Sequence, residues 1–595
     1  MQWKRIAAAG FAALSSLGLC LAARADAKAE LKAFEGKIEA VAKLPGEPSI
    51  YESAGVTRVQ DLPLRTLGSR EPVSSSRRRL VLIGGLDGND RGADAAVAAL
   101  RWFKTQAPQS LRDSWSITAM PLGNPEGWLE LKPTNDSGGK PAVNYPPAEG
   151  TFFADRKNAE GRYIWRWITF QAPDLVLEIR GGNRIAWFAP PNTGALAQAV
   201  GAQPLVGADS LAMSLTRDPV SGLGTVPVLL ADSPATGGPE VLQKALVAAA
   251  SLPRSPLRQA VIRRSERAPL TAASLLAERY PRENGISYIP AAAWSGALRL
   301  AELRGESPEA TRLREKVRLA LAPYLNGAAP VVNGEPDVAK LAGYLVFADL
   351  AEAAGTGDQR EAAKRLALEG AALFRPEGSG GTARFGRFWS DDMFMTAAVL
   401  GRAGKLSGDA AYFDLLGRTL RQYVEKLQQP SGLFIHAPDA PHAWGRGNGF
   451  AALGLMEALT YLPEGHADRA PLLASFRKLI AALVPLQAPE GTWRQVVDRP
   501  ESYREVTATA MTLAAMARGI RMGWLGKELA PVAARAWSGL AARLGDDGSL
   551  IDVCAGTGTG PTLRYYYDRP ALAGPDDRGG AMALLAAVEY GSLGN

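Results

Sequence analysis

Residues 444–487 read WGRGNGFAALGLMEALTYLPEGHADRAPLLASFRKLIAALVPLQ. Apolar residues recur at helical spacing from Arg446 to Tyr461, a turn containing Pro463 and Gly465 interrupts, and the spacing resumes over 467–487. That is a helical hairpin, and the pattern continues in both directions. Segments 289–303, 307–324, 337–355, 358–374, 390–404 and 408–428 precede it, and 503–522, 526–543 and 577–591 follow. Strands are nearly absent. Such a chain closes either as an open solenoid or as a toroid of paired helices. Length favours the toroid, because about a dozen helices suffice for two concentric rings, with loops at one rim holding the site.

Before roughly Arg267 the grammar differs. Leu80-Val81-Leu82-Ile83 ends at Gly84-Gly85 and reads as a buried strand and turn, and Ala93 to Lys104 follows with helical periodicity. Ser116 to Met120 and Asp174 to Ile179 are further strands. This alternation predicts an α/β domain on a mainly parallel sheet. Lys132 to Gly150, rich in Pro, Gly and Asn, is expected to be a loop across the sheet. The chain is thus expected to be multidomain: an export signal at 1–25, an N-terminal segment at 26–68, an α/β domain at 69–255, a linker at 256–284 and an all-α domain at 285–595.

The export reading rests on Lys4 and Arg5, the apolar run Ile6 to Ala22, and the A-x-A site Ala23-Arg24-Ala25. The run is too short for a membrane span, so secretion, to a periplasmic home, is expected rather than membrane insertion. Beyond Cys20 the only cysteine is Cys554, so no internal disulfide is available to the processed chain. With three histidines, a multi-ligand zinc site is not expected. The formal charge is +7, and Lys4, Arg5 and Arg24 leave with the signal. No basic run interleaved with aromatics appears, which argues against nucleic acid as a partner.

The helical half carries its motifs in a fixed order. Trp389-Ser390-Asp391-Asp392-Met393-Phe394-Met395 opens a helix, and His436 follows Gly432-Leu433-Phe434-Ile435. Trp444-Gly445-Arg446-Gly447-Asn448-Gly449-Phe450 opens the next helix. Gly491 to Val496, Glu505 to Met511, Val553 to Gly558 and Tyr565-Tyr566-Tyr567 complete the series. In this order they resemble the family 105 glycoside hydrolases, the unsaturated rhamnogalacturonyl hydrolases, with the family 88 unsaturated glucuronyl hydrolases as relatives. The likeness covers about residues 285–595 and implies an (α/α)6 barrel.

It also implies a chemistry needing few residues and no cofactor. A 4,5-unsaturated uronate is a vinyl ether; protonation at C4 creates an oxocarbenium-like centre at C5, water adds there, and the hemiketal opens with loss of the glycosidic bond. Ordinary glycoside hydrolysis instead attacks the anomeric centre with two carboxylates. One carboxyl group can give the proton and then take one from water. By resemblance that group is Asp391, with Asp337 as the second important aspartate; Asp337 also reads as a helix N-cap. Trp389, Met395, His436, Trp444, Arg446 and Phe450 match substrate-contacting positions, with Arg446 and His436 facing the substrate's carboxylate. The family usually has tryptophan where Phe450 stands, which keeps stacking but loses an indole N–H. Asn448 is expected to shape the turn between two glycines.

In the N-terminal half, Gly84 to Asp90 and Pro121 to Gly127 resemble the zinc carboxypeptidase and succinylglutamate desuccinylase type of domain. There H-G-N-E supplies two ligands and a later histidine the third. This chain has Asp87, Asp90 and Arg180 at those positions, and a guanidinium cannot ligate zinc. A degenerate domain is expected, with Arg180 facing Asp87 and Asp90 and no metal. The whole chain reads as an exo-acting hydrolase of oligosaccharides ending in an unsaturated uronate, galacturonyl by default. The alternative is a non-catalytic glycan-binding protein with both domains degenerate.

Overall fold

The computed structural model describes residues 27–143, 156–207, 210–217, 222–283, 285–353, 357–378 and 380–594. The signal at 1–25 and the end of the expected loop, 144–150, lie outside them. The chain divides into two compact units, with the changeover between Gln259 and Ala260.

Among the described residues the first unit holds eight strands: β1 (Ile50–Val56), β2 (Pro63–Gly68), β3 (Arg78–Gly84), β4 (Trp115–Met120), β5 (Leu175–Gly181), β6 (Ala186–Ala189), β7 (Gln203–Pro204) and β8 (Val228–Ser233). They form one sheet in the order β1-β2-β4-β3-β5-β8-β6-β7. The central four, β4-β3-β5-β8, are parallel. Helices α1 (Asp90–Thr105) and α3 (Gly238–Ala248) pack on these strands and on each other, and α2 (Ala159–Gln171) packs against β1. With helices over it, β3 can be a continuous apolar run, as Leu80 to Ile83 is.

The sheet as a whole is mixed, which corrects the expectation of a mainly parallel one. β1–β2, β2–β4 and β6–β8 pair antiparallel. Loop length explains this. Parallel neighbours need a crossover of about a dozen residues or more, whereas only residues 182–185 separate β5 from β6, so the chain must turn back. β1 and β2 also lie before residue 69, so the sheet begins inside the segment read as a lead-in.

The second unit is helical. Six helices contact one another in a closed circuit: α5 (Tyr288–Leu303), α7 (Leu345–Ala353), α9 (Ser390–Ser407), α11 (Gly445–Tyr461), α13 (Val506–Arg521) and α15 (Asp577–Gly591), the last returning to α5. Their sides are buried almost all round, as in α11 from Gly445 to Leu459. Six more pack against them: α4 (Pro269–Arg279), α6 (Pro308–Leu325), α8 (Asp358–Ala372), α10 (Ala410–Leu427), α12 (Arg469–Leu483) and α14 (Ala530–Ala542). These are one-sided; α10 buries Tyr412, Leu415, Leu416, Leu420, Tyr423 and Leu427. The segment read as a linker, 256–284, contains a helix at Pro256–Ser265 and then α4, which packs on α5 and α15.

A chain of buried and half-buried ions crosses all six helices of the circuit. Asp349 on α7 accepts from Arg402 on α9 at 2.7 Å, and Arg402 also bonds Glu457 on α11. Glu457 accepts from Arg518 on α13 at 3.1 Å, and Arg518 donates to Glu589 on α15 at 2.6 Å. Glu589 meets Arg299 on α5 at 2.9 Å, and Ser295 of α5 returns to Asp349. Burial opposes charge on Glu589, but Arg518, Arg299 and Arg521 outweigh it and hold its pKa at about 2 against an ordinary 4.5. A carboxylate lowered in the folded state adds stability that is complete above pH 4.5 and lost as pH falls through 2. Glu589→Gln is therefore expected to cost about 3–5 kcal/mol at pH 7, the cost of orphaning buried partners. It should also flatten the fall in stability between pH 4.5 and 2. Urea unfolding across that range checks both.

Candidate active site

The first turn of α9 carries two adjacent aspartates with opposite surroundings. Asp392 is saturated: it accepts from the backbone N–H groups of Arg387 at 2.7 Å and Trp389 at 3.2 Å, from the Arg387 guanidinium at 2.9 Å and from the Tyr423 hydroxyl at 3.0 Å. It is the cap of the helix. Asp391 is 1% exposed, and neither of its oxygens has a hydrogen-bond partner. His436 faces it, with Nε2 3.2 Å from Asp391 Oδ2 but without hydrogen-bond alignment. A buried carboxylate left unsatisfied is costly and marks a site kept for something other than stability.

Backbone contacts fix this pairing. Ser390 N–H donates to the His436 carbonyl at 2.8 Å, tying the start of α9 to the His436 loop. Asn448 clasps the same loop from α11: its Oδ1 accepts from Phe434 N–H at 2.8 Å and its Nδ2 donates to the Phe434 carbonyl at 2.9 Å. Asn448 thus sits within the helix as a cross-link, not in a turn. Helices α9 and α11 approach closely because Gly454 has no side chain; a Cβ there would lie 2.6 Å from the Met393 carbonyl carbon. Gly445 likewise clears the Arg494 carbonyl oxygen, which a Cβ would meet at 2.2 Å.

His436 is enclosed by aromatic rings: Trp444 at 4.4 Å between centroids, Trp389 at 5.7 Å and Tyr566 at 5.8 Å. The Tyr566 hydroxyl meets His436 Nδ1 at 2.7 Å. Burial pushes the Tyr566 pKa up to about 12, so the hydroxyl keeps its proton. Were that proton donated to Nδ1, the ring N–H would stand on Nε2, the nitrogen facing Asp391. Tyr288, at the start of α5, is also pushed up to about 12 by burial and feels both Arg446 and Asp391. Tyr288 carried no motif; Tyr566 lay inside one without a role.

Arg446 is buried in this cluster, but its terminal nitrogens are occupied. Nη1 donates to the Cys554 carbonyl at 3.0 Å and Nη2 to that of Gly556, leaving Nε without a partner. Glu505 pins the same loop, accepting from Cys554 N–H at 2.9 Å while capping α13 through Thr507 and Ala508. Arg446 therefore positions the 553–556 loop, at a position where the resemblance implies a substrate contact.

The remaining expected residues fall differently. Met395 and Phe450 are in the hydrophobic core, Phe450 stacked on Phe394 at 6.1 Å and edge-on to Tyr288 at 5.8 Å. Trp389 is half-buried under the Arg387 guanidinium, 3.8 Å from its ring centre. Asp337 is exposed and caps a short helix, Val338–Leu341, by accepting from Lys340 N–H at 2.9 Å. That short helix packs on α9, but the Asp337 side chain is not brought to the buried cluster.

In the first unit, Arg180 Nε pairs with Asp232 Oδ1 at 3.1 Å across the β5–β8 register, instead of facing Asp90. Asp90 is exposed in the first turn of α1. Asp87 accepts from Gly181 N–H at 3.3 Å, so the first and third expected positions do converge. Among the described residues no group of three or more His, Cys, Asp or Glu is placed to hold a metal ion.

Residues 382–593 match the family model described as Glycosyl Hydrolase Family 88. The chain is 28% identical over 190 residues to an unsaturated rhamnogalacturonyl hydrolase, YesR, of Bacillus subtilis (strain 168), covering 31% of this chain and 54% of that one. It is 27% identical over 175 residues to an unsaturated 3S-rhamnoglycuronyl hydrolase of Alteromonas sp. (strain LOR), covering 27% and 42%. The chain thus spans about half the length of the curated relatives it matches. Among solved structures it resembles a family 105 glycoside hydrolase of C. acetobutylicum ATCC 824, at 22% identity and a TM-score of 0.47, covering 55% of this chain and 99% of that one.

Proposed function

We propose that the helical unit is an (α/α)6 barrel that hydrolyses oligosaccharides ending in a 4,5-unsaturated uronic acid. The observation that carries this reading is Asp391: a buried carboxylate without a hydrogen-bond partner, 3.2 Å from His436 inside an aromatic cage. The closed circuit of six helices backed by six others supports the barrel, and the names of the curated relatives support the chemistry.

In this reading protonated Asp391 delivers its proton to C4 of the non-reducing-end sugar, and the electron pair of the C4–C5 double bond forms the new C–H bond. The positive centre at C5 shares the ring oxygen's lone pair. Water adds at C5 and its proton returns to the Asp391 carboxylate. The resulting hemiketal opens, and the glycosidic bond breaks as the sugar unravels. His436, its Nε2 N–H turned toward Asp391, stabilises the carboxylate formed in the first step. We assign exo action and a galacturonyl end on rhamnogalacturonan-type fragments, with the periplasm as the compartment. Incubation with lyase-generated unsaturated rhamnogalacturonan and glucuronan oligosaccharides, read as loss of the double bond's ultraviolet absorbance, tests it. A flat trace on every substrate, with binding retained, would instead favour a glycan-binding protein.

For the first unit we propose a degenerate zinc carboxypeptidase- or desuccinylase-like domain. The convergence of Asp87 with the end of β5 supports it, as does the Arg180–Asp232 pair, because a guanidinium cannot ligate zinc. Stoichiometric zinc in the purified protein would overturn the degenerate reading; a trace amount is expected.

A further inference from the structure

A buried cation packed on the aromatic rings around His436 has no anion. Arg569 lies between the helical turn Leu563–Tyr567 and the strand Ala571–Gly574 and is 6% exposed. Neither Nη1 nor Nη2 has a hydrogen-bond partner. The guanidinium rests instead on three rings, 4.6 Å from the centre of Trp444, 5.0 Å from Tyr566 and 4.9 Å from Tyr565. Two of those rings are the ones that hold His436 against Asp391. Cation–π contact recovers only part of what a guanidinium loses on leaving water, and planar N–H donors pointing at nothing are a standing cost. The third ring, Tyr565, is 39% exposed, so the cation sits between solvent and the buried cage.

The other cations of the cluster are committed. Arg446 spends its terminal nitrogens on the Cys554 and Gly556 carbonyls, and Arg387 is held by Asp392. We infer that Arg569 is the receptor for the substrate's carboxylate, its two free Nη groups forming the fork that grips the uronate and sets its unsaturated bond against Asp391. A planar, fixed-charge fork suits a carboxylate bidentately, and one packed on aromatic walls is already oriented. This makes Arg569 the residue that selects an acidic sugar over a neutral one. The inference rests on the uronyl hydrolase reading, and it names a residue that the motifs did not.

The test is titration calorimetry on the full chain carrying Asp391→Asn, alone and combined with Arg569→Gln or Arg569→Lys. The ligands are an unsaturated digalacturonide as the free acid and as its methyl ester at the unsaturated ring. The parent is expected to prefer the acid. Arg569→Gln should weaken acid binding about a hundredfold, leave ester binding within about threefold and so erase the preference. Arg569→Lys, keeping the charge without the fork, should restore part of it. Persistence of the preference in Arg569→Gln would overturn the assignment, as would equal loss of acid and ester, which would mark a structural role. A parent that prefers neither ligand would also overturn it. Failure of the hydrolase reading shows separately, as wild-type protein that leaves the double bond intact.

Discussion

Asp391→Asn is expected to slow double-bond loss by about a thousandfold or more while leaving the unfolding midpoint unchanged or raising it. The amide keeps the shape of the carboxyl group but cannot pass a proton to C4 and take one back from water. Stability should not suffer, because the native carboxylate is buried without a hydrogen bond that the amide could forfeit. A buried carboxyl group that makes no hydrogen bond gives none up when an amide of the same shape replaces it. Progress curves on an unsaturated oligosaccharide and a thermal melt read the two halves of this prediction. Loss of activity together with a large fall in midpoint would show that Asp391 is a structural residue.

The neighbouring aspartate should behave in the opposite way. Asp392→Ala is expected to cost about 3–5 kcal/mol of stability, because one side chain there serves four donors. Its removal orphans the N–H groups of Arg387 and Trp389, the Arg387 guanidinium and the buried Tyr423 hydroxyl. It also releases the turn through Phe388, which holds a left-handed backbone at φ 57° just before the motif. Activity should fall as a consequence, since Trp389 loses its anchor and Arg387, stacked on that ring, loses its ion pair. Denaturant unfolding beside activity at a temperature where the variant stays folded separates the two effects. If Asp392→Ala unfolds like wild type, the cap assignment is wrong.

The contrast between these residues shows what the sequence could carry. The Trp389–Met395 motif and its order among the others singled out Asp391, which lies 3.2 Å from His436 in the structure. Neither the composition nor the spacing could say which aspartate is paired; that follows from Arg387 and Tyr423, the latter on a different helix. Arg446 and Arg569 mislead in complementary ways. An arginine in a named motif reads as a substrate cation, yet its donors are spent on carbonyls more than a hundred residues away. Arg569 stands in no motif, and only its packing on Trp444 and Tyr566 singles it out. Asp337 shows the reverse case: it was read both as a functional aspartate and as a helix cap, and its side chain is seen capping.

The fold was legible where burial imposes periodicity. The helices from 289 to 591 followed from apolar spacing, because each must present one face, or all of itself, to a common core. The helix Pro269–Arg279 was missed because its partners, Tyr288–Leu303 and Asp577–Gly591, include one some three hundred residues further on. In the first unit the buried run Leu80–Ile83 announced the parallel centre of the sheet. The strands Ile50–Val56 and Pro63–Gly68, at one side of the sheet and with Ser, Gly and Pro among their residues, gave no alternating pattern to read.

The most direct measurement is the reaction itself in heavy water. Wild-type protein would be mixed with a lyase-generated unsaturated rhamnogalacturonan oligosaccharide and followed by proton and carbon NMR. Hydration through Asp391 predicts loss of the vinyl signal, solvent deuterium bonded to C4 of the released sugar, and an oligosaccharide shortened by one residue. An undiminished vinyl signal, or cleavage that leaves the double bond in the released sugar, would contradict it.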